Sequence, residues 1–419
     1  MISLTLILIL LGYGALGVWT TSVAADGQWG LFYKHVFSMV LGLGGFAFIR
    51  WSGYDRLQRF SPLLYGLLLL LLGVVLAIGP SVAGARRWIF LGGFSFQPSE
   101  LAKFVLTLTL SLHLASLRLQ NGKVVSRLWQ LAGLALHIGI PCALVLKEPD
   151  LGMTLVLLGL FFSMLVVSPF SFWILSLTAL PAVSIALFFW NQLLWQMHLV
   201  LGAIVLAVGT LAARFYKQQR SGPLLLLSLV LSLNASVVWL GQWLWQNLKP
   251  YQQQRILTFI SPTPDALASG YQVQQSKIAV GSGGLTGQGL FAGSQTQLGY
   301  VPEQHTDFIF SAIAEETGFL GAGLLLLTFG LLVFRILWIG FKAQESRQLY
   351  ICTGVSALLL MQLLINVGMN LDMMPVTGVP LPLVSYGGSS MLIQLALLGL
   401  VESIHVRQKQ TGWLSHAAL

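Results

Sequence analysis

The acidic residues with the clearest chemical potential lie in the segment from Pro302 to Gly318, where a polar stretch runs into a predicted membrane helix. Asp307 stands at the predicted boundary between water and lipid, a depth at which ionisable groups are costly to hold and are functional candidates. A helix would place Asp307, Ser311 and Glu315 on one face. The two carboxylates would then be about 12 Å apart along the axis, at about 1.5 Å per residue. That separation is too large for a pair that shares a proton, so one carboxylate is expected to act alone.

Glu100 and Lys103 form a second candidate pair, in the run FQPSELAKF. Pro98 favours a helix start, and the spacing of three places both charged side chains on one helical face. The pair is either a neutralised structural ion pair or part of a cavity. The preceding loop combines cations with an interfacial aromatic ring, which suits a lipid phosphate or sugar but also an ordinary aromatic belt beside snorkelling arginines. These residues are Arg86, Arg87 and Trp88.

Three further segments carry polar or irregular sequence. Asp150, in KEPDLG, follows a helix-breaking proline and is a candidate helix N-cap. Residues 270–289 are predicted to form an amphipathic segment followed by a glycine-rich turn. Without GK[ST] or a strand–helix frame this turn is a poor nucleotide loop, and the glycines favour close approach to a ligand or the bilayer. Residues 374–390, rich in proline and glycine, predict irregular backbone, which membrane depth tolerates only where protein or a cavity surrounds it.

The elements that hold these residues are predicted membrane helices. Hydrophobic residues make up 56% of the 419 and mean hydropathy is +0.81, which excludes an ordinary soluble domain. Apolar runs of about twenty residues, each sufficient for a hydrocarbon core of about 30 Å, predict an all-α polytopic integral membrane protein with about twelve transmembrane helices. Their predicted starts are Ile2, His35, Ser61, Pro98, Leu128, Asp150, Phe172, His198, Pro223, Phe308, Leu349 and Pro382.

Charge predicts the orientation of these helices. With the N-terminus inside, the inner loops hold 14 of the 22 basic residues but only 3 of the 13 acidic ones, as short cytoplasmic loops usually do. Both termini are then cytoplasmic, and the large polar loop at 249–307, between the ninth and tenth spans, faces outward. The net charge of +9 comes from basic residues that orient the protein and contact anionic membrane lipids. It is not interpreted as a sign of nucleic-acid binding. The first apolar run resembles a signal peptide but lacks a positive start, so it is interpreted as a retained helix.

Six sequence blocks, taken in order, resemble the SEDS family (shape, elongation, division and sporulation proteins). They are RRW…FQPSELAK, PDLG, YQQQRI, SGYQVQQSKIAVGSGGLTGQG, VPEQHTDFIFSAIAEETG and PVTGVPLPLVSYGGSS. The resemblance implies a single transmembrane domain over 1–419 with a GT-C-like fold. It implies a peptidoglycan glycosyltransferase that polymerises lipid II at the outer face of the bacterial plasma membrane, and the blocks look like the elongation branch of the family. The implied partner is a class B penicillin-binding protein. The family usually has ten spans, so residues 172–246 are expected to hold two extra helices.

The resemblance also implies roles for individual residues. The family's essential aspartate falls on Asp307, and its other motif residues fall on Trp88, Glu100, Lys103 and Asp150. An α-linked donor and a β-1,4 product imply one inverting displacement, which needs one general base, assigned to Asp307, and stabilisation of the leaving pyrophosphate. That stabilisation is expected from cations, with or without a divalent ion such as Mg²⁺ or Mn²⁺. The candidate cations are Arg86, Arg87, Lys103, Arg255 and Lys277.

The remaining substrate-binding candidates are His305, Glu315 and Ser385. His305 either tunes Asp307 or is a hydrogen-bonded loop histidine. Two other functions stay open at the level of sequence. A lipid II flippase or other transporter would suit twelve spans, although the matched halves typical of transporters are missing. A non-catalytic scaffold of the elongation machinery would leave the carboxylate-bearing loop unexplained.

Overall fold

The computed structural model describes residues 2–24, 29–82, 85–91, 94–121, 128–168, 245–246, 248–260 and 269–417. The chain divides into two compact units, one formed by residues 1–169 and 267–419 and the other by residues 170–266. The three predicted spans starting at Phe172, His198 and Pro223, including the two extra helices, lie outside the described residues apart from positions 245–246. The second unit contributes one described helix, α8 (Pro250–Ile260), which carries Arg255.

The first unit is built almost entirely from helices. Its N-terminal part contains α1 (Ile2–Ala24), α2 (Trp29–Ser52), α3 (Tyr54–Arg59), α4 (Ser61–Ile78), α5 (Pro98–Asn121), α6 (Leu128–Lys147) and α7 (Leu151–Val166). A two-stranded antiparallel hairpin, β1 (Ile89–Leu91) and β2 (Phe94–Phe96), connects α4 to α5, with Ile89 opposite Phe96. Its C-terminal part contains α9 (Ser269–Ser282), α10 (Ser294–Gln297), α11 (Ile309–Phe341), α12 (Ser346–Asn370) and α13 (Gly388–Ala417).

Seven of the described helices are long and apolar enough to cross a membrane, namely α1, α2, α4, α5, α11, α12 and α13. The shorter α6 and α7 are also apolar. This agrees with an all-α polytopic membrane protein. Two predicted starts were wrong by several residues. The second helix begins at Trp29, and the last begins at Gly388 because Leu381 donates its backbone N–H to the Ser385 hydroxyl, closing a turn where a helix was expected.

The core of the first unit lies around α5 and α13. In the most apolar 18-residue stretch of each of these helices, 78% of the residues are buried. The corresponding shares are 28% in α2 and 22% in α4, which present apolar side chains at the periphery. α12 packs against α5, α7 and α11, while α11 also packs against α1 and α9. Cys142 and Cys352 are buried free thiols. The helices that carry the candidate site residues are therefore held by the most buried part of the fold.

Charged residues near the far ends of these helices form a separate network. Arg407 on α13 pairs with Asp55 on α3 and lies 3.8 Å from the carboxylate of Glu345, which precedes α12. Glu345 also pairs with Arg347 at 2.6 Å. These partly exposed ion pairs tie three helices together at one end, where each pair contributes little by itself.

Candidate active site

Asp307 lies in a turn that precedes α11, not on the helix. The backbone N–H groups of Thr306 and Phe308 both donate to the carbonyl of Glu303, at 3.1 and 3.2 Å, which closes the segment 303–308 into the Asp307 turn. α11 begins only at Ile309. The prediction of one helical face from Asp307 through Glu315 was therefore wrong, because hydrogen bonds to Glu303 hold the backbone outside the helix. The Asp307 side chain is half-buried.

Two asparagines on α12 hold the backbone of this turn. The side-chain amides of Asn366 and Asn370 both donate to the carbonyl oxygen of Asp307, at 2.9 and 3.1 Å. Asn370 also accepts the backbone N–H of Ser311, at 3.1 Å, through its side-chain oxygen. The end of α12 is thereby fixed to both the Asp307 turn and the first turn of α11.

The loop between α12 and α13, residues 371–387, holds the same turn from the other side. The Ser385 hydroxyl donates to the carbonyl of Thr306 at 2.6 Å, and the Tyr386 backbone N–H donates to the carbonyl of His305 at 2.9 Å. The rings of His305 and Tyr386 meet edge-on at 5.9 Å. The loop buries several apolar side chains, so its irregular backbone is surrounded by protein as predicted: Val376, Val379, Leu381, Leu383 and Val384.

His305 is the ionisable neighbour of Asp307 along the turn. Burial lowers the pKa of its imidazole, and the nearby Glu303 carboxylate opposes this by raising it. The net direction is down from about 6.5, so His305 is mainly neutral at neutral pH. The imidazole contacts the Tyr386 ring, and both interpretations offered by the sequence, a residue that tunes Asp307 and a hydrogen-bonded loop histidine, stay predictions.

Glu315 occupies a different environment. Its carboxylate is fully buried and accepts from the backbone N–H groups of Gln295 and Thr296, at 2.7 and 2.9 Å. The hydroxyls of Thr296, Ser294 and Ser282 also donate to it, at 2.6, 3.3 and 3.4 Å. Glu315 thus accepts hydrogen bonds from backbone N–H groups in the first turn of α10. A carboxylate at a helix N-terminus is stabilised by these donors and by the helix dipole.

The glycine-rich segment, residues 283–293, packs into an interruption of α11. Gly318 has φ 67° and ψ −168°, which breaks the helix there and frees its backbone groups. Gln288 and Gly289 donate to the carbonyls of Glu315 and Glu316, while Phe319 and Leu320 donate to those of Gly284 and Leu285, at 2.9–3.1 Å. A Cβ on Gly318 would lie 2.2 Å from the backbone nitrogen of Gly287. The glycines therefore permit close approach to α11, whereas the sequence suggested approach to a ligand or the bilayer.

Glu100 and Lys103 pair within the core, as their spacing predicted. Their charged atoms are 2.6 Å apart on α5, and the two side chains are 2% and 0% exposed. In the part of the chain that the structure describes, neither charged atom has another hydrogen-bond partner. Buried ion pairs are normally supported by further hydrogen bonds because desolvation is costly. The pair therefore retains hydrogen-bonding capacity that a polar ligand could use.

Arg87 and Asp150 organise the turn between α6 and α7. Asp150 caps α7 by accepting the Met153 N–H at 3.0 Å, and the Gln97 amide donates to its other oxygen at 3.0 Å. Arg87 donates to the backbone carbonyls of Glu148 (2.7 Å) and Pro149, and it lies 3.8 Å from the Asp150 carboxylate. The N-cap prediction for Asp150 is confirmed.

This turn also contains Glu148, a buried carboxyl group that the sequence reasoning missed. Both side-chain oxygens lack a hydrogen-bond partner among the described residues. Burial, with a smaller contribution from the Asp150 carboxylate, raises the pKa of Glu148 to about 8, although Arg87 opposes the shift. Glu148 is therefore mainly protonated at neutral pH. Its place between Lys147 and Asp150, at the join of two apolar helices, was the available signal.

The α6–α7 turn and the Asp307 turn are connected through one segment of the α12–α13 loop, residues 377–379. A Cβ on Gly152, at the start of α7, would lie 2.5 Å from the side chain of Val379 and 3.0 Å from the carbonyl oxygen of Thr377. Asn366 donates to the Val379 carbonyl at 2.9 Å as well as to Asp307. The two polar turns are therefore linked through two intermediate residues, Val379 and Asn366.

Comparison with known proteins identifies the family. The model of the FtsW, RodA and SpoVE family, described as a cell cycle protein, matches residues 1–203 and 179–410. The chain belongs to this family, the SEDS proteins. It is 33% identical to the peptidoglycan glycosyltransferase MrdB of Escherichia coli K12, over 97% of this chain and 93% of that protein. It is 30% identical to the peptidoglycan glycosyltransferase RodA of Treponema pallidum, over 96% of each chain.

Solved structures give the same assignment. The crystal structure of the rod shape determining protein RodA of Thermus thermophilus matches with a TM-score of 0.61 and 28% identity, over 97% of this chain and 96% of that one. A chain of a peptidoglycan synthase complex matches with a TM-score of 0.69 and 31% identity, over 97% of this chain and 98% of that one. The SEDS protein described here is accordingly a peptidoglycan glycosyltransferase, which sets aside the transporter and scaffold alternatives.

The structure brings together only part of the predicted site. Ser385 and His305 lie at the Asp307 turn, and Arg87 and Asp150 share the α6–α7 turn.

The other predicted site residues have different environments. Arg86 is exposed and donates to the carbonyl of Ala77 at 3.1 Å, and Trp88 is half-buried. Lys277 pairs with Asp372 at 3.0 Å on the surface. Arg255 belongs to the separate unit. Among the described residues, no three His, Cys, Asp or Glu side chains are grouped to hold a metal ion.

Proposed function

We propose that this SEDS protein polymerises lipid II at the outer face of the bacterial plasma membrane, with Asp307 as the general base. The observation that carries the proposal is the Asp307 turn, where a half-buried carboxylate stands on a backbone held by α12 and by the α12–α13 loop. A catalytic carboxylate must be held in position, and this one is restrained through three backbone carbonyls.

In the proposed reaction, Asp307 removes the proton from the 4-hydroxyl of the acceptor sugar. The hydroxyl oxygen then attacks the anomeric carbon of the donor, the bond from that carbon to the lipid pyrophosphate breaks, and the pyrophosphate leaves with the electron pair. One displacement inverts the configuration and requires no enzyme nucleophile. This agrees with the environment of Glu315, whose carboxylate is occupied by loop donors and supplies no second catalytic group.

The other site residues receive supporting roles. Glu100 and Lys103, whose paired charged atoms have no further hydrogen-bond partner among the described residues, are proposed to bind polar groups of the substrate. Arg86, Arg87 and Trp88 are proposed to face the pyrophosphate and sugar, because a planar guanidinium group matches the geometry of a phosphate. Arg255, Lys277 and a divalent cation remain candidates for the leaving-group charge.

The finer features of the fold belong to the same proposal. They are a GT-C-like arrangement of about twelve spans, an outer loop at 249–307, and both termini in the cytoplasm. Thiol labelling tests the orientation in a variant lacking Cys142 and Cys352. A cysteine at Gln288 should react with a membrane-impermeant reagent from outside, whereas one at Lys342 should be protected; the opposite pattern would reject the orientation and the placement of the reaction.

The physiological role is proposed to be cell elongation in complex with a class B penicillin-binding protein. The solved peptidoglycan synthase complex supports an association of polymerisation with crosslinking. The VPLPLVSYGGSS sequence and the spacing from SKIAVGSGGLTGQG to VPEQHTDFIF favour elongation over division. If the role is in elongation, depletion of the protein should make rod-shaped cells round; filaments with blocked septa would indicate division instead.

Polymer formation from purified lipid II tests the chemistry. Wild-type protein should form glycan strands without added polymerase, and Asp307→Asn should be slower by about 10²–10⁴, the usual cost of losing a general base. Asp55→Asn is the matched control, because Asp55 is a partly exposed carboxylate that pairs with Arg407 in the separate ion-pair network. Folded wild-type protein that makes no polymer, or an Asp307→Asn variant that turns over at the wild-type rate, would contradict the proposal.

A further inference from the structure

Two asparagines at the end of α12 stand out in an apolar membrane helix. Asn366 and Asn370 are one helical turn apart, and both are 0% exposed. Buried amides are costly unless their hydrogen bonds are satisfied. Their partners therefore indicate why this helix tolerates them.

Asn366 uses both of its amide N–H groups on backbone carbonyls. One donates to Asp307 and the other to Val379, each at 2.9 Å. Asp307 lies in the turn before α11, and Val379 lies in the α12–α13 loop that contacts the start of α7. A single side chain thus joins the carboxylate-bearing turn to the loop beside the α6–α7 turn.

Asn370 completes the arrangement. Its amide nitrogen donates to the carbonyls of Asp307 and Asn366, at 3.1 and 2.8 Å, and its side-chain oxygen accepts the Ser311 N–H at 3.1 Å. Its own backbone carbonyl accepts the Ser276 hydroxyl of α9 at 2.9 Å. The carbonyl of Asp307 therefore receives two amide donors from one rigid helix.

We propose that Asn366 and Asn370 are positioning residues for glycosyl transfer, which fix the main chain of Asp307 so that its carboxylate meets the acceptor hydroxyl. The inference rests on the proposed role of Asp307 as the base. The carbonyl and the side chain share one Cα atom, so a carbonyl held by two donors restricts the direction of the carboxylate. A misplacement of about 1 Å at a reacting group costs about 10²-fold in rate.

A role limited to stability predicts different behaviour. Loss of the amides would then lower the thermal midpoint of the protein, and the rate per folded molecule would be unchanged. Gln362 provides the matched control, because it is a fully buried amide on the same helix, one turn earlier, and it pairs with Gln394 on α13 away from the Asp307 turn.

The test measures lipid II polymerisation by the purified full-length chain. Asn366→Leu and the smaller change Asn366→Ser should lower kcat by about 10²-fold and leave KM within a few-fold, at thermal midpoints similar to that of Gln362→Leu. The double variant Asp307→Asn/Asn366→Leu should be no slower than Asp307→Asn alone, since a positioning residue has nothing left to position.

Three outcomes would overturn the inference: a kcat near wild type for folded Asn366 variants, losses that multiply in the double variant, or failure of both Asn366 variants to fold while Gln362→Leu folds. These outcomes are distinct from failure of the proposed function. An active Asp307→Asn variant rejects the base itself, whereas an inactive Asp307→Asn beside active Asn366 variants rejects only the positioning role.

Discussion

Asp307, in the turn before α11, and Glu315, beside the break in α11, are only eight residues apart in the sequence. The fold nevertheless places its hydrogen-bond donors differently around the two residues. At the break, five donors converge on the carboxylate of Glu315, which is fully buried. At the turn, the donors from Asn366, Asn370 and Ser385 are directed at backbone carbonyls, and the Asp307 side chain is half-buried. The first arrangement uses a carboxylate to hold a loop, and the second holds the backbone that presents one.

The difference shows how residues within one motif divide their tasks. A carboxylate whose oxygens are filled by protein donors has little capacity left for a substrate. A carboxylate whose main chain is clamped is fixed in place through its backbone. Predictions that change one region and leave the other intact can therefore break or sharpen the distinction.

The largest expected effect is on stability, at the break. Gly318→Ala adds a Cβ within 2.2 Å of the Gly287 backbone nitrogen at a residue with φ 67°. The backbone strain alone costs about 1–3 kcal/mol, and the clash with rigid backbone adds to it. The thermal midpoint should fall well below that of Gly323→Ala, whose Cβ would have nothing within 4 Å. Equal midpoints would show that the glycine-rich segment does not depend on this contact.

A smaller effect is expected at the turn. Ser385→Ala removes the hydroxyl that donates to Thr306 and accepts from Leu381. A hydrogen bond of this kind contributes about 0.5–1.5 kcal/mol, so the thermal midpoint should change little. The polymerisation rate should fall by about tenfold, since a small displacement of the turn is enough to reduce it. A large loss of stability with an unchanged rate per folded molecule would assign Ser385 to packing alone.

The smallest effect concerns Glu148, a buried carboxyl group outside both regions, whose oxygens have no protein donor among the described residues. Its pKa is raised from 4.5 to about 8, so the folded state favours the protonated form. Its contribution to stability is complete below about pH 4.5 and is lost as pH rises towards 8. Glu148→Gln, which resembles the neutral form, should therefore become progressively more stable than wild type between pH 5 and about 8. A constant difference in thermal midpoint across that range would contradict the raised pKa.

Local sequence predicted the parts of this site that depend on local geometry. The start of α5 at Pro98, the pairing of Glu100 with Lys103 and the N-cap at Asp150 all follow from spacing within one helix turn. The helical nature of the chain followed from composition. The family motifs located Asp307 but not the hydrogen bonds that surround it.

The remaining features depend on contacts between distant segments, which periodicity does not encode. Helical spacing placed Asp307 on α11, but the Glu303 carbonyl keeps it outside. Donors from residues 282–296 determine the task of Glu315. One signal was available and missed, since Asn366 and Asn370 are two amides at helical spacing in an apolar helix. Buried polar groups in such a helix require hydrogen-bond partners, and these two asparagines share one partner in the Asp307 turn, the carbonyl of Asp307.

The most direct test compares the two carboxylates in one experiment, by measuring lipid II polymerisation and thermal midpoint for Asp307→Asn and Glu315→Gln. Asp307→Asn should lose about 10²–10⁴ in rate at a nearly unchanged midpoint. Glu315→Gln should melt earlier, because its amide nitrogen replaces one acceptor oxygen and then opposes the N–H of either Gln295 or Thr296, and it should keep its rate per folded molecule. Normal turnover by Asp307→Asn, or a Glu315→Gln variant that is fully stable and inactive, would contradict the assignment of Asp307 as the base.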